Sequence, residues 1–307
     1  MGFRVLASDV LDPKSIAAMR EAGVEVDEKT DLTPEQLVVE IAAYDAIVIR
    51  SATKVRANII DAGTNLKLVV RAGVGLDNVD IAHAESKGVS VRNTPSASSN
   101  SVAELALGHM FSIARHIGRG TVSTKAGKWE KKQLKGVELA GKTLGIIGIG
   151  RIGQSLAQKA SALGMDVICS DAFLTESPIP DMAPMVSKDD LLARSDFISL
   201  HIPFDPAVGP SISTPQFAAM KDGVYLINCA RGGTIDETAL VAALKSGKVA
   251  GVALDVFENE PPAADHPLFA QEAVSLTPHI GASTVEAQAR VGQEAADIVI
   301  EFARANS

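Results

Sequence analysis

Cysteine is nearly absent: Cys169 and Cys229 are the only two in 307 residues. That excludes a disulfide framework, and no cysteine or histidine spacing suggests a structural metal site. Both thiols fall in apolar, strand-like contexts, so buried free thiols are expected. Aromatic residues are scarce too, with one tryptophan and two tyrosines. No apolar run reaches the roughly 18 residues that a membrane helix needs, so no membrane partner is expected. Basic residues are outnumbered, 29 against 37 acidic, for a formal net charge of −8. Nucleic acids and anionic membrane surfaces require a basic footprint, so neither is an expected partner. Met1-Gly2-Phe3-Arg4 leads straight into a strand pattern with no secretory signal, and a cytoplasmic location is expected.

What is present reads as ordinary globular protein, 46% hydrophobic and 21% charged. The length suits about two domains. Short apolar runs alternate with helical patterns through the first ~95 residues, the signature of a parallel sheet with helices on both faces. The strands are expected at Phe3 to Ala7, Val24 to Val26, Ala46 to Ile49, Leu68 to Val70 and Val89 to Val91. A long helix is expected from Ser101 to Ile117. A basic, irregular arm follows from Gly118 to Gly141 and carries Trp129, a lone aromatic better suited to anchoring a second subunit than to catalysis. Further strands are expected at Phe197 to Leu200, Val224 to Ile227, Val249 to Leu254 and Val274 to Leu276, and a last helix at Val285 to Ala303.

The most informative stretch runs from Leu144 to Asp171: strand, Gly148-Ile149-Gly150-Arg151-Ile152-Gly153, helix, strand, acid. Gly148 allows the sharp turn, Gly150 lets a pyrophosphate approach the main chain, and Gly153 lets the helix lie close on the sheet. The helix start offers N–H groups and partial positive charge to phosphates. Asp171, about 20 residues on, is placed to accept both hydroxyls of an adenosine ribose. Its charge would repel a 2′-phosphate, and Ala172 and Phe173 supply no cation, so NAD is expected rather than NADP.

Polar residues gather at the carboxyl ends of the expected strands: Arg50, Arg71, Asp171, His201 beside Pro203, Arg231, Asp255 and His279. Ligands of open α/β sheets bind at such ends, and the clustering points to one cleft between two domains. Arg231, before two glycines, suits a fork that grips a carboxylate, although an arginine capping strand ends would look the same. His279, between Pro278 and Gly281, is a candidate acid–base group. Glu260, in the run from Asp255 to Pro262, reads either as a surface acid before a proline turn or as the partner of that histidine. The other histidines, His109 among them, have no comparable setting. Arg50, Lys54 and Arg71 form a local excess of positive charge in an acidic chain, which suits either a pocket for a doubly charged phosphate or surface pairing with nearby acids.

Taken together, Arg50 to Val55, Arg71 to Asp80, the glycine loop with Asp171, Asn228 to Gly233, Asp255 to Pro262 and Thr277 to Thr284 make the chain resemble the D-isomer-specific 2-hydroxyacid dehydrogenase family over nearly its whole length. The resemblance implies two doubly wound parallel-sheet α/β domains. A Rossmann domain that binds NAD, residues 98–283, is inserted into a flavodoxin-like substrate domain made of residues 1–97 and 284–307. It implies a catalytic Arg231, Glu260 and His279, and a cofactor lined by Arg151, Ile152, His201, Cys229, Ala230, Asp255, His279 and Gly281. It also implies substrate contacts from Arg50, Arg71, Val74 and Gly75, with Lys131 reaching across from a second subunit of a homodimer or larger homo-oligomer. Ser98 stands where relatives often carry a substrate-side asparagine, and Ile202 and Val208 stand where threonines often contact the cofactor. The implied reaction is oxidation of a D-2-hydroxy acid, with D-3-phosphoglycerate favoured. Hydroxypyruvate, glyoxylate or D-lactate chemistry and a dinucleotide-sensing corepressor-like role are the alternatives. The chain stops at Ser307, so feedback through a further C-terminal regulatory domain is not expected.

Overall fold

The computed structural model describes residues 2–306 and divides the chain into two compact units, residues 99–281 and the remainder on either side of them.

The first unit contains β1 (Arg4–Ala7), α1 (Pro13–Glu21), β2 (Glu25–Glu28), α2 (Pro34–Glu40), β3 (Ala46–Ile49), α3 (Ala57–Ala62), β4 (Leu68–Arg71), α4 (Ile81–Ser86) and β5 (Ser90–Asn93). Its sheet is parallel throughout, in the order β2-β1-β3-β4-β5. That is a doubly wound order with its switch point between β1 and β3. The central strands β3 and β4 read as apolar runs because both faces are buried, whereas the edge strands β2 and β5 carry Glu25, Asp27 and Arg92. Val5, Ala46, Val48, Leu68 and Val70 pack on one side with Ile16 and Met19 of α1. Leu6, Ile47, Ile49 and Val69 pack on the other with Leu37 and Ile59. A helix from the far end of the chain, α11 (Val285–Ala305), completes the first face through Val291, Ala295 and Val299. At Gly292 a Cβ would lie 3.1 Å from Asp12 Cβ and Ser15 Oγ, so the helix packs tightly on the α1 region here.

The second unit begins with α5 (Ser99–Arg115) and α6 (Ile117–Lys125) and continues with β6 (Thr143–Ile147), α7 (Arg151–Ala162), β7 (Asp166–Ser170), α8 (Lys188–Arg194), β8 (Phe197–Leu200), α9 (Thr214–Ala219), β9 (Val224–Asn228), α10 (Glu237–Ser246), β10 (Val249–Leu254) and β11 (Val274–Leu276). The order is β11-β10-β9-β8-β6-β7, again all parallel. The chain leaves β6 toward one edge and returns on the other side at β8, so the switch point lies at the carboxyl ends of β6 and β8. Leu144, Ile146, Phe197 and Ile227 face α5 and α7, while Ile147, Ile198, Leu200 and Leu226 face α8 to α10.

The segment after α5 is not an irregular arm from its start, because α6 occupies its first part. Gly118 and Gly120 weaken helix propensity by about 1 kcal/mol each, but tertiary contacts override them. Arg119 pairs with Glu272 at 2.7 Å and with Glu130 at 3.8 Å. His116, at φ 54°, supplies the left-handed break between the two helices.

Candidate active site

The glycine loop lies at the switch point of the second sheet. Gly148 has φ +94°, and a Cβ there would come within 2.6 Å of the His201 carbonyl oxygen. At Gly153 a Cβ would meet the Gly148 carbonyl oxygen at 2.3 Å, so α7 can lie on β6 only without a side chain. Gly150, the N-cap of α7, has open space where its Cβ would be and makes no side-chain capping bond. The first turn, with Arg151 and Ile152, therefore offers N–H groups to a ligand's phosphates.

Asp171 follows β7. Its Oδ2 accepts the Ile149 N–H at 3.0 Å, and its Oδ1 accepts those of Phe173 at 2.9 Å and Leu174 at 3.3 Å. A carboxylate has about four lone-pair sites, so about one remains for a ribose hydroxyl. A cavity of about 540 Å³ opens beside it, lined among others by Leu174, Val186, Lys188, Ile202 and Ser211. Lys188 is the cation that reading forward from Asp171 did not find. It begins α8, and its Nζ donates to the Ser211 carbonyl at 2.7 Å and hydroxyl at 3.0 Å. Burial lowers its pKa. Ser187, the N-cap just before it, was a signal that a helix starts here.

His201 follows β8, with Nε2 2.9 Å from Ser199 Oγ and a buried Nδ1 that has no partner. Burial lowers its pKa to about 4. The residue as a whole keeps some exposure, but the enclosed nitrogen is the atom that must take the proton. Pro203 comes two residues later. An open helix start, an acid, a cavity and an orphaned ring nitrogen around one switch point fit a dinucleotide.

At the end of β9, Asn228 organises the next turn. Its Nδ2 donates to the Arg231 carbonyl and to Thr234 Oγ1, both at 2.9 Å, and its Oδ1 accepts the Ala230 N–H at 3.0 Å. The turn holds Cys229, whose thiol pKa is raised by burial and then by the Asp255 charge, and which is therefore inert. Both cysteines are free and buried. Arg231 donates from Nη1 to the Ala230 carbonyl at 2.6 Å.

Glu260 and His279 form a close pair, Oε2 to Nδ1 at 2.6 Å. Glu260 Oε1 also accepts the Phe257 N–H at 3.1 Å. Burial alone would raise the Glu260 pKa. The His279 hydrogen bond and charge, the Phe257 N–H and the Arg231 charge outweigh burial and leave it lowered. With Nδ1 engaged, Nε2 is the ring's other proton site. Asp255, after β10, accepts the N–H groups of Ile280 and Gly281, each at 2.8 Å. His109, which the sequence reading set aside, lies within 2.9 Å of Thr277 in the same segment.

In the first unit, Ile49 and Arg71 are partners on neighbouring strands, so Arg50 lies one residue beyond Arg71's level. Arg71 ends β4 inside the strand rather than after it. A Cβ on Gly73, at φ +151°, would lie 1.6 Å from Arg71 Nη1, so the guanidinium lies over this glycine. Asn93 Nδ2 donates to the Val74 carbonyl at 2.5 Å, which fixes the turn into Gly75. Asp9, overlooked in the sequence, accepts the Arg50 N–H, and accepts from Thr53 both N–H at 3.2 Å and Oγ1–H at 2.9 Å. An acid just after the strand at a switch point was its only signal. Ser98 is buried at the end of this unit, whereas Lys131 is exposed on the arm of the other.

Residues 107–281 match the family described as "D-isomer specific 2-hydroxyacid dehydrogenase, NAD binding domain". A hydroxypyruvate reductase of Thermotoga maritima is 51% identical over 295 residues, covering 95% of each chain. A D-3-phosphoglycerate dehydrogenase of Archaeoglobus fulgidus is 45% identical over 98% of this chain, which spans 58% of that relative's length. Among solved structures, a D-lactate dehydrogenase from Aquifex aeolicus complexed with NAD and lactic acid superposes with TM-score 0.84 at 29% identity, covering 99% of this chain and 96% of that one.

Proposed function

Since the chain belongs to the D-isomer-specific 2-hydroxyacid dehydrogenase family and is an NAD-dependent oxidoreductase, we propose that it oxidises D-3-phosphoglycerate to 3-phosphohydroxypyruvate, the first step of serine biosynthesis. Bound NAD supplies the hydride acceptor. His279 takes the substrate hydroxyl proton at Nε2 as general base. Glu260 holds the ring through Nδ1 and compensates the positive charge that develops on it. Arg231 grips the carboxylate and so orients C2. Gly148, Gly150, Arg151, Ile152 and Gly153 receive the pyrophosphate, and Asp171 the ribose. His201, Pro203, Cys229, Ala230, Asp255 and Gly281 line the rest of the cofactor.

The observation that carries the acid–base assignment is the 2.6 Å contact between Glu260 Oε2 and His279 Nδ1. For the substrate's far end it is the nearness of Arg50, just past β3, to Arg71, the last residue of the neighbouring strand β4. Two guanidinium groups with Val74 and Gly75 suit a doubly charged phosphate, and Ser98 belongs to the same substrate domain. Lys131 adds a point charge from the partner of a homodimer. The arm that carries it also carries Trp129, which is 85% exposed in one chain. A monomeric mass in sedimentation equilibrium, at assay concentration, would rule out that subunit contact.

The competing reading is a hydroxypyruvate reductase, favoured by the relative of that name, which matches almost end to end. The decisive experiment compares NADH formation with D-3-phosphoglycerate and with D-glycerate, beside NADH consumption with hydroxypyruvate. Arg71→Ala should depress kcat/KM for D-3-phosphoglycerate about tenfold more than for D-glycerate, the worth of one charged contact. Equal losses for both substrates would remove the phosphate pocket and leave hydroxypyruvate as the better substrate.

A further inference from the structure

We infer that His109 is a positioning residue for this reaction: from the buried face of helix α5 it fixes, through Thr277 and Asp255, the segment that carries His279. The inference rests on His279 being the acid–base group.

The His109 ring lies between two hydroxyls, Nε2 2.9 Å from Thr277 Oγ1 and Nδ1 3.0 Å from Ser275 Oγ. Ser275 Oγ in turn donates to Ser112 Oγ at 3.0 Å, back on α5. The protons in this chain can be assigned. Thr277 Oγ1 is 2.6 Å from Asp255 Oδ1, and a carboxylate oxygen only accepts, so the threonine donates its single proton there. His109 Nε2 must then carry the hydrogen and donate to Thr277. The ring is 3% exposed, and burial, opposed by the Asp255 charge, lowers its pKa and keeps it neutral.

The polar chain ends at the catalytic segment. Asp255 accepts the N–H groups of Ile280 and Gly281 through its carboxylate and the N–H of His279 through its carbonyl, each at 2.8 Å. Ser101 of α5 donates to the Gly281 carbonyl at 2.7 Å. Ser101 and His109 are eight positions apart, a spacing that keeps both on the same helical stripe. This clamp is needed because His279 adopts φ +53°, a conformation that side chains other than glycine rarely take. Such a backbone persists only where its surroundings over-determine it. A buried leucine at position 109 would fill the space equally well. What it could not do is orient the Thr277 hydroxyl toward Asp255.

The test uses full-length His109→Leu, His109→Gln and Thr277→Val, assayed for hydroxypyruvate reduction with NADH. Amide hydrogen exchange at Ile280 and Gly281 is followed in parallel. His109→Leu should lower kcat about tenfold or more with a much smaller change in hydroxypyruvate KM, the loss of one positioned hydrogen bond. Exchange at the two amides should quicken by a similar factor while that in β6 does not change. Glutamine can donate an N–H to the same Thr277 hydroxyl and should restore most of the rate. Thr277→Val should reproduce the leucine phenotype, and the double variant should be no worse than the poorer single one. A leucine variant with wild-type kcat and protected amides overturns the inference, even if its melting temperature falls. If the wild-type enzyme turns over neither hydroxypyruvate nor D-3-phosphoglycerate, the proposed function fails, and the exchange rates alone then decide whether His109 holds the segment.

Discussion

Both oxygens of Asp171 already accept backbone N–H bonds, one from the glycine loop and two from its own following turn. Its replacement therefore acts on the loop as well as on the cofactor. Asp171→Ala should raise KM for NAD about 10- to 100-fold, as a charged hydrogen bond is worth about 1.5–3 kcal/mol. With the carboxylate gone, Lys188 is left as the cavity's nearby charge, so NADP should lose less and the preference for NAD should narrow. Measured kcat/KM with both cofactors checks this; equal losses would confine Asp171 to loop geometry. Glu260→Gln separates charge from shape at the other end of the site. An amide oxygen can still accept from His279 Nδ1, so the ring orientation survives while the negative charge does not. We expect kcat to fall about tenfold or more, with NADH affinity nearly unchanged. Single-turnover kinetics with a fluorescence titration of NADH would expose any loss of binding instead.

At the scale of elements, the contact between β6 and α7 depends on one missing methyl group. Gly153→Ala would set a Cβ against the Gly148 carbonyl, an atom of the backbone that has no rotamer to escape into. The helix would have to lift from the sheet, at a cost of about 1–3 kcal/mol, and NAD affinity should fall with it. A urea midpoint and an NADH titration unchanged from wild type would contradict this. The same element was the most legible part of the chain, because glycine spacing and a terminal acid are local signals. Strands β3, β8, β10 and β11 were readable to the residue for a related reason: each is a short, largely apolar run between polar ends. What was not legible depends on partners distant in sequence. Asp9 matters only because β1 lies beside β3, and Lys188 only because the start of α8 reaches Ser211. Helix α6 was hidden by its glycines, and α8 had its capping serine but too few turns to show a period.

For the whole molecule, His201 makes stability depend on acidity. Its folded-state pKa, about 4, lies below the ordinary 6.5. The unfolded chain therefore binds a proton that the folded chain refuses. The resulting stability is present in full above pH 6.5 and is lost as pH falls toward about 4, at most about 3 kcal/mol for the group. His109, also lowered by burial, acts in the same direction. Urea unfolding of the cofactor-free protein at pH 7.0 and 4.5 should show this loss, and His201→Gln should reduce it. A variant with the wild-type difference would assign the acid sensitivity elsewhere.

Helix α11 carries a consequence for how the protein is made. Residues 99–281 form one uninterrupted stretch and can close as soon as they leave the ribosome. The five-stranded sheet emerges earlier but waits for the last segment, since Val291, Ala295 and Val299 complete the face formed by Val5, Val48 and Val70. Until then that apolar face is open, and chains pausing late in translation will expose it to chaperones or to one another. The order of synthesis is thus the reverse of the order of completion: the unit begun first is finished last.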